Sequence, residues 1–147
     1  MIKKMVDITS KEFKEAVLKV INQCEDLIDN LRYERLPDGW IKDHETDLEW
    51  GPSSPNSMNY AKAKEYCANL KGRLPTVDEL QTILDRTLHN PACDKKVFKD
   101  VKSEWYWTSS KYMGCDSAAW CVSFVYGYVF GYDGVSDGYV RPVRASQ

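Results

Sequence analysis

Apolar residues near the start of the chain fall at Phe13, Val17, Val20, Cys24, Leu27 and Leu31, in alternating steps of four and three. That spacing predicts an amphipathic helix over residues 10–32 with a seam of the a/d kind. Thr9 and Glu12 read as a capping box at its start, and Pro37 and Gly39 stop it soon after its end. Ile21 and Ile28 widen the stripe, while Lys14, Lys19, Glu25 and Asp29 form the polar face. The first reading of the stripe is that it packs on its own domain. The sharper reading is a coiled coil of roughly three heptads that joins copies of the chain as a homo-oligomer.

Residues 38–50, DGWIKDHETDLEW, read as a β-hairpin with Trp40 and Ile41 on one strand and Leu48 and Trp50 on the other. HETD makes the turn. Asp43, His44, Glu45 and Asp47 look like a metal cluster on paper, but a solvated turn explains them, and no metal is expected. A Pro/Ser/Gly loop, GPSSPNS, follows. Residues 59–70 form the next helix, with Tyr60, Ala63, Cys67 and Leu70 on its apolar face and Gly72 as its C-cap. Pro75 stops that helix from continuing, and Thr76 with Glu79 forms a second capping box, placing Leu80, Ile83 and Leu84 toward the core. Residues 86–104 read as an irregular excursion with a turn at Asn90-Pro91. The last third is β-rich and ends in Val140-Arg141-Pro142-Val143-Arg144, where Pro142 argues for an edge strand or a bulge.

Composition narrows the function. The 147 residues fit one domain plus a short extra element. The formal net charge of −2, with no basic stripe, gives no electrostatic case for nucleic acid. No apolar run is long enough for a membrane span, and no apolar stretch follows the basic residues of MIKKMVDITSKEFKEAV, so no secretory signal is expected. The five cysteines are an odd number without a CxxC pair, and reduced thiols are the default; a Cys67–Cys93 disulfide cannot be deduced from spacing. His44 and His89 are isolated, and no Ser–His–Asp set, phosphate loop or HExxH motif occurs. No catalysis and no cofactor are expected.

Two compositions interleave from Trp105 to Arg144. A framework of Trp107, Ser109, Ser110, Trp120, Val122, Phe124, Gly127, Val129, Tyr139 and VRPVR is filled in with Tyr, Gly, Ser, Asp, Ala, Val, Phe and Cys. Between Gly114 and Gly138 there is no Lys, Glu, Gln, Met or Arg, though Lys and Glu abound upstream. An Asn codon of the form AAY whose two adenines are randomised cannot yield Lys, Glu, Gln, Met or Trp. The filler residues all lie in the set it does yield. Many alternate along strands, which would place them on one face, opposite Trp120, Val122 and Phe124.

The framework YWTSS…AWxVxFxxGxV…YVRPVR resembles the variable region of proteins diversified by a retroelement, in which template adenines are randomised during reverse transcription. It is also similar to a wider set of undiversified lectin-like surface domains. The D-x-x-T-x-L-x-W hairpin and the RLPT…EL segment fit the same family, as does the apolar-Phe pair Val97–Phe98, which tucks a loop onto the core there. Gly72 stands where members often carry Trp. The resemblance implies an α+β domain of C-type lectin fold over residues 37–147, after an N-terminal helical segment over residues 1–36, with a variable region at about 112–138.

It further implies a contact surface made of Tyr112, Cys115, Asp116, Ser117, Ala118, Cys121, Ser123, Val125, Tyr126, Tyr128, Phe130, Gly131, Tyr132, Asp133, Val135, Ser136, Asp137 and Gly138. Tyr beside Gly and Ser is paratope vocabulary: large amphipathic contact area on few rotors. Trp105, Trp107, Trp120, Phe124 and Tyr139 are assigned to the core, and Tyr126 and Tyr132 to the surface. The partner implied is a macromolecule, a host or cell-surface protein, met by a display protein on a virion or cell surface. The alternatives are an undiversified adhesion or structural domain, and an enzyme of the formylglycine-generating kind using Cys115 and Cys121. The calcium-binding motifs of sugar-binding C-type lectins, E/Q-P-N/D and W-N-D, are missing.

Overall fold

The computed structural model describes residues 7–147. Its element order is α1 (Lys11–Arg32), β1 (Tyr33–Arg35), β2 (Ile41–Asp43), β3 (Leu48–Trp50), α2 (Tyr60–Asn69), α3 (Val77–Gln81), β4 (Trp105–Lys111), β5 (Ala118–Ser123), β6 (Val129–Asp133) and β7 (Val143–Ala145). The strands form two antiparallel sheets, ordered β1-β2-β3-β7 and β4-β5-β6. The protein is therefore an α+β fold. β7 brings the end of the chain back to the hairpin, with Val143 opposite Trp50. It is an edge strand, as Pro142 required.

Local chemistry accounts for most element ends. The Asn59 side chain accepts from the Lys62 N–H at the start of α2. At α3 both halves of the Thr76/Glu79 capping box are made, and Arg73 donates two further bonds to the Glu79 carboxylate at 2.8 Å each. Two caps differ from the sequence reading. At α1 it is Ser10, not Thr9, whose hydroxyl accepts from the Phe13 N–H, because Asp7 holds both the N–H and the hydroxyl of Thr9. At the end of α2 the left-handed residue is Lys71 (φ 60°), not Gly72. Gly72 is needed for another reason: a Cβ there would lie 2.9 Å from the Trp40 ring.

Two clusters form the core. Trp50, Leu80, Phe98, Tyr106, Val122 and Phe124 belong to the first, between the sheets. Ala63, Cys67, Leu74, Trp107, Ala119 and Cys121 belong to the second, beneath α2. Alternate residues of β5 thus enter different clusters, and the strand is covered on both faces. The irregular segment 86–104 reaches the first cluster through Cys93, Phe98 and Val101, and Ala92 and Asn90 donate backbone bonds to the Phe124 and Val125 carbonyls. Arg141, buried, joins distant segments: it donates to the Gly51 carbonyl at 2.8 Å and to Asp100 at 2.5 Å and lies over the Phe98 ring.

The expectation that the α1 stripe packs on its own domain does not hold. Val17, Val20, Leu27 and Leu31 are exposed, as are Ile21 and Ile28. What ties α1 down is its last residue. Arg32 donates to both oxygens of the fully buried Asp43, at 3.0 and 2.9 Å, and to the Thr82 carbonyl. The chain then enters β1, which pairs with β2, so the sheet begins before residue 37.

Burial opposes ionisation of Asp43, but the Arg32 guanidinium and the Glu45 N–H outweigh it and hold the carboxyl below the usual range. Its contribution to stability is therefore complete above the unfolded value of about 3.9 and is lost as pH falls through the lower folded value. Chemical denaturation across pH 2–7 is expected to show that loss in the native chain. Asp43→Asn should lower stability at neutral pH by on the order of 3 kcal/mol and flatten the acid limb. Phe124→Ala, which opens the first cluster, is expected to cost ~3–5 kcal/mol in the same assay. Trp120→Ala should cost less, since Trp120 is only half-buried.

Candidate recognition surface

On the β4-β5-β6 sheet, Trp107 lies opposite Cys121 and Cys121 opposite Phe130. These residues therefore share a face with Trp105 and Tyr132. Helix α2 covers one part of that face, where Trp107 contacts Tyr60. Beyond the helix the face is open. There Trp105 and Tyr132 stack with centroids 5.0 Å apart, Phe130 meets both edge-on at 5.8 Å, and Tyr128 packs on Phe130 at 5.6 Å. Tyr128 is 54% exposed and Tyr132 44%, while Phe130 and Trp105 are half-buried against the second cluster. The result is an aromatic ridge whose inner rings belong to the core and whose outer rings face solvent. Tyr126 stands apart from it at a turn, 64% exposed and stacked over His89.

Polar loops flank the ridge. Residues 115–117 are exposed, with Lys111 paired to Asp116 and the Cys115 thiol 3.2 Å from the Ser117 hydroxyl. That hydrogen bond holds Cys115 below the ordinary thiol range. Asp133, Val135 and Asp137 are exposed and Ser136 half-buried, on a loop tied to residues 117 and 60 by Gly134 backbone bonds. The Val135 N–H and the Ser136 N–H both bond back to Asp133. Ala118 and Val125 are half-buried.

Several residues expected on the contact surface are not available there. Cys121 has no exposed area and Ser123 only 2%. They alternate along β5 as expected, but the face they point to is already the second core. Gly138 is buried, and a Cβ on it would come within 2.2 Å of Trp105. Gly131 is half-buried, and a Cβ there would meet the Tyr112 ring at 2.0 Å. Tyr112 in turn sits edge-on to Trp120 at 4.7 Å. Tyr112 and Gly131 are therefore a lock on the opposite face of the sheet, not part of the ridge. Conversely, Trp105, assigned from sequence to the core, contributes the base of the ridge. The signal for it was present: Trp105 and Trp107 share the parity of the residues on β4 that face α2.

The acids of the hairpin turn have protein partners. Asp43 and Glu45 pair with Arg32, and His44 lies 2.9 Å from Glu34. Among the described residues no group of three or more metal-binding side chains occurs, and no helix is long and apolar enough to cross a membrane. All five cysteines are free. Cys67 and Cys93 lie in different core clusters, and burial pushes Cys67, Cys93 and Cys121 up to about 12. Thiol labelling of the folded chain is expected to modify Cys24 and Cys115 quickly and to spare the other three until denaturant is added. Mass spectrometry of the labelled peptides checks this; fast labelling of Cys121 would place it on the surface after all.

A comparison with curated proteins finds no match. A comparison with protein families matches residues 39–144 to the Lcl C-terminal domain. That match spans both sheets, α2, α3 and the ridge, leaving α1 and β1 outside it. The chain belongs to the Lcl C-terminal domain family.

Proposed function

We propose that this domain is a ligand-binding, lectin-like recognition module, without catalysis, whose partner is a protein on a host or neighbouring cell surface. The observation that carries the reading is the ridge of Trp105, Tyr128, Phe130 and Tyr132, anchored in the core on one side and open on the other. Anchored aromatics lose little side-chain freedom on binding and present large amphipathic area, which is the physical basis of binding hot spots. Asp133, Val135, Asp137 and residues 115–117 supply an adaptable polar rim. Membership of the Lcl C-terminal domain family is consistent with a binding role. A formylglycine-type cysteine pair gains no support, since the Cys121 thiol is buried and the Cys115 thiol exposed.

The finer reading is that the rim and the outer rings are varied by a retroelement in a phage, archaeal-virus or microbial display protein. Tyr126, Tyr128, Tyr132, Asp133, Val135, Ser136, Asp137 and residues 115–118 support it, being exposed or only half-buried and within the AAY-derived set. A fixed adhesion domain is the second reading. It is favoured by Cys121, Ser123 and Gly138, where packing alone accounts for the residue present.

DNA sequencing of the gene and its downstream region separates the two. Diversification predicts a near-repeat of the final codons, differing mainly at adenines, beside a reverse-transcriptase gene. Absence of any repeat leaves the fixed adhesion domain. The triple change Tyr126→Ser, Tyr128→Ser and Tyr132→Ser is expected to leave the melting temperature within a few degrees of the parent. Phe130→Ser should lower it clearly, because that ring packs on the second cluster. Labelled protein bound to a panel of whole cells should lose ~30-fold or more in affinity on Tyr128→Ser with Tyr132→Ser. Unchanged binding by that variant would remove the ridge from the site.

A further inference from the structure

α1 presents an apolar stripe that its own domain leaves open. Val20 is 57% exposed, Leu27 62% and Ile28 63%. A single helix of 22 residues with such a stripe is marginal in water unless something covers it. Its charges argue against a lipid surface. Lys11, Lys14, Lys19 and Arg32 are offset by Glu12, Glu15, Glu25 and Asp26, whereas helices that lie on membranes are predominantly basic on the polar face.

We infer that the stripe is covered by two further copies of this chain, in a parallel three-helix bundle. The observations behind this are spacing, flank charge and width. The four-three spacing keeps one seam facing a partner helix along the whole length. On one flank of the seam stand Ala16 and Gln23; on the other stand Ile21 and Ile28, with Lys14 the charged residue near one end. Identical helices therefore meet with almost no like-charge opposition, where a seam built for a different partner would carry charges to select it. Width sets the number. A pair of helices buries only the a and d positions and would leave Ile21 and Ile28 in water. A third helix covers that flank. A closed ring of three identical copies has cyclic symmetry, so its helices run in one direction. Arg32, pinned to Asp43, then sets all three domains at the same end of the bundle.

The test is the mass of the whole chain by light scattering, kept reduced at micromolar concentration. The expected value is three times the 17.0 kDa of one chain. Val20→Glu with Leu27→Glu should give the mass of one chain, with the near-ultraviolet circular dichroism of the domain unchanged. Asn22→Glu, which adds charge on the far side of the helix, should keep the threefold mass. Phe13→Cys, in a background with Cys24→Ser and Cys115→Ser, should cross-link on oxidation, since parallel helices bring residue 13 together and antiparallel ones separate the two copies by about 27 Å. A single-chain mass for the unaltered protein overturns the inference, and so does a threefold mass that survives the paired glutamates. A two-chain mass overturns the third copy, and failure to cross-link overturns the parallel arrangement. None of these readings depends on a ligand, so they stand apart from any test of the recognition surface.

Discussion

Coverage of β5 on both faces is the constraint from which the rest of this structure follows. Val122 and Phe124 enter the core between the sheets, while Ala119 and Cys121 enter the core under α2. A central strand in that position allows neither neighbour to move independently. β4 must supply Tyr106 to one side and Trp107 to the other, and β6 must bring Phe130 across from Cys121. Each of these is an interior substitution site in the energetic sense, where a changed volume costs kilocalories. Freedom to vary begins only where that double cover ends.

It ends along the outer part of β6 and in the loops beside it. The ridge sits at that boundary, and the boundary gives it its character. Tyr132 stacks on Trp105, Trp105 meets Trp107 edge-on, and Trp107 is fully buried. An exposed ring is thus connected to the core by aromatic contacts in series, which fixes its direction without hiding its face. Glycines close the remaining gaps. Gly138 admits the Trp105 ring, and Gly131 admits Tyr112 on the other side of the sheet. The composition rich in Tyr and Gly therefore serves two ends: some residues make the contact surface, and others make room for the rings that hold it.

Ion pairs hold the segments that the short strands do not. Arg141 links the loop at Gly51 to Asp100, Arg144 links Glu49 to Asp38 and lies over Trp40, and Arg32 links α1 to Asp43. Each guanidinium has a plane to stack or a fork to fill, uses to which lysine is poorly suited. Two of the three belong to the closing VRPVR segment, so that segment is both an edge strand and the fastening between the two ends of the domain.

The sequence by itself determined what depends on neighbours along the chain. Capping boxes and proline stops placed α2 and α3, because a cap is a bond between residues three apart. The hairpin at β2 and β3 and the edge position of β7 followed from turn residues and Pro142. The amphipathic period of α1 was equally plain. Only the tertiary structure decided what lies against each face. A period of two says that Cys121 and Ser123 point away from Val122, but not that α2 and the loops already occupy that side. A period of three and four says that α1 has an apolar stripe, but not that the domain leaves it uncovered. Burial depends on contacts between residues far apart in sequence, and a local pattern records the direction of a side chain without recording what fills the space in front of it.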